Sequence, residues 1–335
     1  MGRYASKAGT AWRTPGVLAS LLWQLRAQRS FLRQHIQPIL DDTLLHNDGS
    51  IDDKDIKKIN HYYGLAAPAI VGEAFCILQG RPVSKDERMA STCQGAMTGL
   101  FDDLFDQHSI SEEHLDDLVH NPGTATPANT HEQLFLHFYK EMLRQVPDPA
   151  ETTAQLVKVG RSQQESKKQE STGITTKEIE NITLDKGGQS LIFYRMAFND
   201  RVCASEMEML MQLGGLIQLS NDIFDVYKDL QQGIHTLATQ TRDIRQLRDY
   251  YSAWINRFRD MVMQSGYHRY RAVLFIERFS IAVFSRCFVC LDQFEKLQRQ
   301  SGGVFNPQLY ERGQLICDMD TAGNKRKSVM AHIFH

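Results

Sequence analysis

Asp102, Asp103 and Asp106 stand together in the stretch FDDLFD, and Asn221, Asp225 and Asp229 recur at i, i+4 and i+8 in NDIFDVYKD. Both stretches carry apolar residues at helical spacing, so carboxylates four positions apart fall on one helix face, about one turn from each other. Oxygen ligands of like sign on one face repel each other unless cations or opposing bases neutralise them. Hard oxygen donors suit Mg²⁺, which keeps some of its waters and is shared between a few carboxylates and the phosphate oxygens of a substrate. The two clusters therefore read as two halves of one metal site. The chemistry such a site supports is neutralisation of charge on a departing diphosphate.

Basic residues accompany the carboxylates. Lys228 immediately precedes Asp229, and LDKGGQSLIFYRMAF, between the clusters, brings Lys186 and Arg195. Paired glycines are unfavourable in a helix, so they suggest a break or a close backbone approach, with an ordinary turn as the plain alternative. A break facing the metal site would expose N–H donors and make, with Lys186, an anion cradle. Lys186, Lys228 and Arg195 are thus the candidate diphosphate contacts. The rest of the substrate would be apolar, because Phe101, Phe105, Phe193, Phe198 and Phe224 offer aromatic faces. Most of these read as core, and one or two facing a cavity could stabilise a carbocation.

Helices must position these residues. The 335-residue chain shows no alternating strands or hairpin signals and reads as one large helical domain over residues 41–322. Asn121 to Thr130 (NPGTATPANT) has loop composition, and RSQQESKKQESTGITTKE reads as an exposed helix end plus a loop, either a solvated connector or a segment ordered by substrate. The basic residues 323–335 form a frayed tail or a flap, and the sequence leaves both open. With 42% hydrophobic and 23% charged residues, disorder and a membrane-spanning fold are both disfavoured. A net charge of −2 gives no sign of a nucleic-acid partner.

The first forty residues contain no Asp or Glu. They fit a basic docking helix with Leu18, Leu21, Leu22, Leu25 and Phe31 at roughly helical spacing, with weak membrane-surface contact as a lesser option. A transit peptide and a myristoylation pattern at Gly2 match only loosely. GVLASLLW is too short to span a bilayer. The six cysteines have helical contexts, so reduced thiols in a cytoplasmic protein are expected, and Cys287 and Cys290 read as core rather than as a zinc or redox pair.

On these motifs the chain resembles the class I isoprenoid synthases, the all-α superfamily of terpene cyclases and prenyl diphosphate synthases. FDDLFD matches the first aspartate-rich motif DDxxD through Asp102, Asp103 and Asp106. NDIFDVYKD resembles the second cyclase motif NDxx(S/T)xxK(E/D) through Asn221, Asp225, Lys228 and Asp229, with Asp225 where Ser or Thr is usual. QLSNDIFDV also resembles the second aspartate-rich motif of chain-elongating enzymes, and KGGQSLI their KTG-type segment. DVYKD fits the pattern of head-to-head squalene and phytoene synthases, but those carry two DxxxD-type motifs, the first motif here is arranged differently, and their usual flanking sequence is absent. The resemblance implies a cluster of three Mg²⁺, a polyprenyl diphosphate substrate and, in its leading form, ionisation followed by cyclisation, a lyase reaction. Chain elongation is less well supported: no GGKR precedes the first motif, and QHSISEE follows it instead of an Arg pair. The cyclase form lacks its C-terminal Arg-Tyr pair at the usual spacing, because Arg269 and Tyr270 come too early. Prenyl transfer, elongating or head-to-head, is the alternative, and a degenerate helical scaffold is the non-enzyme alternative. Homodimerisation is left open.

Overall fold

The computed structural model describes residues 7–106, 110–200 and 202–334, the side chain of Asp106 excepted. Every regular element among the described residues is helical, as the sequence periodicity predicts. The Gly2 pattern lies outside the described residues. The helices gather into two compact units, one of Ala19–Gln163 and Ile192–Arg201, the other of Met1–Leu18, Gln164–Leu191 and Val202–His335.

In the first of these units the helix Lys85–Asp106 packs along the helix Thr130–Gln145. Ser84 starts the former reciprocally: the Glu87 N–H donates to Ser84 Oγ (3.2 Å) and the Ser84 N–H to Glu87 Oε2 (2.9 Å), satisfying two N-terminal donors that would otherwise be free. Phe101 stacks on Phe135 at 5.7 Å, and Phe135 on Tyr139 at 5.6 Å. A further helical run spans Asp53–Gln79, started by an Asp52/Asp55 capping box and ended at Gly80 with φ 76°. It contains two widened turns, Lys58–Tyr62 and Ala67–Gly72, and the second accommodates Pro68, which lacks an N–H to donate. This run is long and apolar enough to cross a membrane, but 61% of its apolar window is buried inside the protein, the condition of a core helix.

In the second unit the helix Ala204–Phe224 carries apolar residues on nearly every side and packs against Ile244–Gln264 and Ser285–Gln300. Phe258, Phe275, Phe279 and Phe284 form an aromatic core with edge and stacked contacts. The basic C-terminal residues are not a frayed tail. They form the helix Ala322–Phe334, packed on Ser285–Gln300, with Ser328 hydrogen-bonded to Ser285 (2.8 Å) and His332 Nδ1 to Ser280 Oγ (2.9 Å).

The first helix, Lys7–Phe31, buries Thr14, Val17, Leu21 and Gln28, and Arg13 forms a two-pronged ion pair with Glu277 at 2.6 to 3.0 Å. The buried residues depart from the expected apolar seam at one position. Leu22 points to solvent, 54% exposed, because it lies about 100° around the helix from Leu21. The loops fall where composition places them, at residues 121–129 and 171–175.

Candidate functional site

The glycine pair does not break its helix. Thr176–Arg195 is continuous, and Gly187 lies against Gly214 of the helix Ala204–Phe224: a Cβ on either would collide with the carbonyl of the other. Of the three readings of the pair, close approach is the one realised, and the free N–H cradle that a break would have made is not formed. The crossing instead brings Lys186 near the second acidic cluster, where its charge acts on both Asp222 and Asp229. The ammonium donates to Ser166 Oγ at 3.5 Å.

The acidic cluster itself straddles a helix junction. Ala204–Phe224 ends at Asp225 (φ −94°, ψ 13°), and Val226–Gln231 begins there. The i, i+4 backbone bonds persist through the junction, from the Asp225 N–H to Asn221 O and from the Asp229 N–H to Asp225 O, both 2.8 Å. Asn221 is exposed, Asp225 is half-buried with Lys228 Nζ 3.7 Å from its carboxylate, and Asp229 is buried. Burial, then the charges of Asp222 and Asp225, push the Asp229 carboxyl up to about 7, with Lys228 and Lys186 pulling the other way.

Asp222 is a member of this set that the motif comparison passed over. It is buried, with Oδ1 accepting from Gln218 Nε2 at 2.8 Å and Oδ2 without a hydrogen-bond partner. Burial pushes its carboxyl up to about 7, although Gln218 and Lys186 favour the ionised form. Spacing could have found it, because Asp222, Asp225 and Asp229 follow i, i+3, i+7, the period of a helix stripe.

The first cluster is partly engaged. Asp103 is buried and ion-paired with Lys58, whose Nζ also lies 3.9 Å from Asp55. Burial, then the charges of Asp52 and Asp103, raise the Asp55 carboxyl. Gly99 makes room for the lysine stem, since a Cβ there would meet Lys58 Cδ at 2.9 Å. The Tyr194 hydroxyl is bonded to Thr98 Oγ1 at 2.7 Å; burial raises that phenol, the Thr98 hydrogen bond opposes it, and the Asp102 charge adds to the rise. The Asp106 carboxylate lies outside the described side chains.

Arg195 has another task. Only 1% exposed, it donates to the carbonyls of Phe198, Asn199 and Asp200 and lies over the Phe75 ring at 5.9 Å. It therefore fastens the chain after its helix. Phe101, Phe105, Phe193 and Phe198 are buried core residues, while Phe224 is half-buried under Arg286 at 5.3 Å. Tyr270 is 58% exposed at the start of its helix. Cys287 and Cys290 are free, buried thiols pushed upward by burial, which suits core packing.

Carboxylate oxygens beside an orphaned Asp222 Oδ2 are the donor chemistry a hard divalent cation requires. Among the described residues, no three His, Cys, Asp or Glu side chains already form a closed cage.

No protein-family model matches the chain, and no curated protein matches it. Among solved structures, a dehydrosqualene synthase in complex with ligand aligns with a TM-score of 0.44 at 13% identity, over 82% of this chain and 96% of that chain.

Proposed function

We propose that this protein is a Mg²⁺-dependent isoprenoid synthase that ionises prenyl diphosphates and joins two of them head to head. The observation that carries the reading is the ion pair between Lys58 and Asp103. With Asp103 engaged, the sequence of the first motif leaves Asp102 and Asp106, and that of the second Asp225 and Asp229, so both reduce in spacing to Asp-xxx-Asp. That is the pattern of head-to-head synthases, and it accounts for Asp225 where cyclases carry Ser or Thr.

Asp102, Asp106, Asn221, Asp225 and Asp229 would hold the Mg²⁺, with Asp222 holding the local charge balance. Bound there, Mg²⁺ supplies positive charge against the developing diphosphate. Lys186 and Lys228 add fixed positive charge for the same anion, with Lys186 the better placed of the two because it is half-buried and held by the glycine crossing. A charge in a water-poor setting acts more strongly than one in bulk solvent.

Single-chain cyclisation is the second reading, supported by Lys228 and Asp229 at their cyclase positions. Incubation with fifteen- and twenty-carbon prenyl diphosphates, with and without Mg²⁺, separates the two by product analysis. A hydrocarbon of doubled chain length is expected. A cyclic product from one chain would establish the second reading, and no Mg²⁺-dependent diphosphate release from folded protein would remove both.

A further inference from the structure

The first helix carries an exposed stripe that neither unit's core uses. Trp12 is 86% exposed and Trp23 68% exposed. Eleven residues is three turns, so the two indoles share one face about 16 Å apart along the axis. Ala19 lies between them, exposed, with Pro15, Leu22 and Arg26 on the flanks of the same face, and Arg29 and Arg33 are exposed further along the chain. The opposite side is the buried one, Thr14, Val17, Leu21 and Gln28. No Asp or Glu occurs before Asp41.

We propose that this face seats the protein on an anionic lipid bilayer, with Trp12 and Trp23 at the headgroup level and Arg26, Arg29 and Arg33 against the lipid charge. Indole combines a large apolar body with one polar N–H, which makes the membrane–water boundary its preferred environment. A soluble surface gains nothing from two indoles left in water. Charge complementarity selects the partner: three exposed arginines with no ion pair among the described residues match an acidic headgroup layer. A second copy of the chain fits less well, because two indoles and Leu22 on a single convex helix offer roughly 500 Å², short of the ~800 Å² per partner of a stable dimer.

Vesicle sedimentation of the full chain tests this without substrate or metal, so it is independent of the catalytic reading. Phosphatidylcholine vesicles with one third phosphatidylserine should retain the protein, with a blue shift of indole emission, and phosphatidylcholine alone should retain much less. Trp12→Ala with Trp23→Ala should weaken binding by about tenfold or more. Arg26→Glu with Arg29→Glu, which leaves the indoles in place, should abolish the preference for acidic lipid, as should high salt. Equal loss on both vesicle types, or wild-type protein that ignores both, overturns the proposal. So does a dimer in solution that the tryptophan variant dissociates while vesicle binding is absent.

Discussion

Gly187 and Gly214 touch backbone to backbone where the helix carrying Lys186 crosses the helix that leads into Asp225. The contact sets how near the lysine comes to Asp222 and Asp229, so a substitution there should alter both stability and chemistry. Alanine is ordinarily the better helix residue by about 1 kcal/mol. At Gly214 that gain is outweighed, because the new methyl meets the Gly187 carbonyl and backbone cannot step aside as a side-chain tip can. Gly214→Ala should cost about 2 kcal/mol or more in denaturant unfolding. Gly16→Ala, in a helix with open space at the Cβ position, should raise stability by about 0.5 to 1 kcal/mol. Equal effects of one sign at the two positions would show that the crossing is not tight.

The ion pair between Lys58 and Asp103 yields an asymmetric prediction. Removing the lysine leaves Asp103 buried beside Asp55, so Lys58→Met should cost about 3 kcal/mol. Asp103→Asn should cost less, because Lys58 keeps Asp55 within 3.9 Å. The same pair separates the first motif's carboxylates by function. Asp103→Asn should retain most of the Mg²⁺-dependent diphosphate release, whereas Asp102→Asn should lose it by about a hundredfold or more. Equal losses would return the motif to three ligands and withdraw support for head-to-head coupling.

The helical class was legible because apolar residues at a 3.6 period recur through the chain, and because NPGTATPANT marks a loop by composition alone. The bases at the acidic clusters were legible only where they were close in sequence. Lys228 adjoins Asp229, but Lys58 reaches Asp103 from a widened turn 45 residues away, and no local pattern encodes that meeting. The KGG segment shows the same limit from the other side. Local propensity argues for a break, yet the helix continues because another glycine on a different helix makes room for it. Arg195 reads as an anion contact by charge, and the three carbonyls it meets immediately after its own helix are contacts that charge does not encode.

The buried carboxyls predict an unusual pH dependence of the metal-free protein. Asp222 faces Gln218, Lys186 and Asp225, and Asp229 faces Asp222, Asp225, Lys228 and Lys186. Each is pushed up to about 7 in the folded chain, against about 4 in an unfolded one. Between those values the folded chain holds more protons than the unfolded chain, so these groups' contribution to stability is full below about pH 4 and is lost as pH rises through about 7. His332 works in the opposite sense, since burial and then the charges of Arg259 and Arg13 hold it down to about 4, so its contribution is lost as pH falls. The comparison is therefore between wild type and variant at each pH, where the histidine cancels. Asp222→Asn should gain on wild type from pH 5 to pH 8 by about 1 to 4 kcal/mol. Millimolar Mg²⁺ at pH 8 should restore the wild type by drawing the carboxylates into their ionised form, and Asp225→Asn with Asp229→Asn should not respond. A difference that stays constant across the range, or a double variant that Mg²⁺ stabilises as much as wild type, would show that these carboxylates neither hold protons in the folded state nor hold the metal.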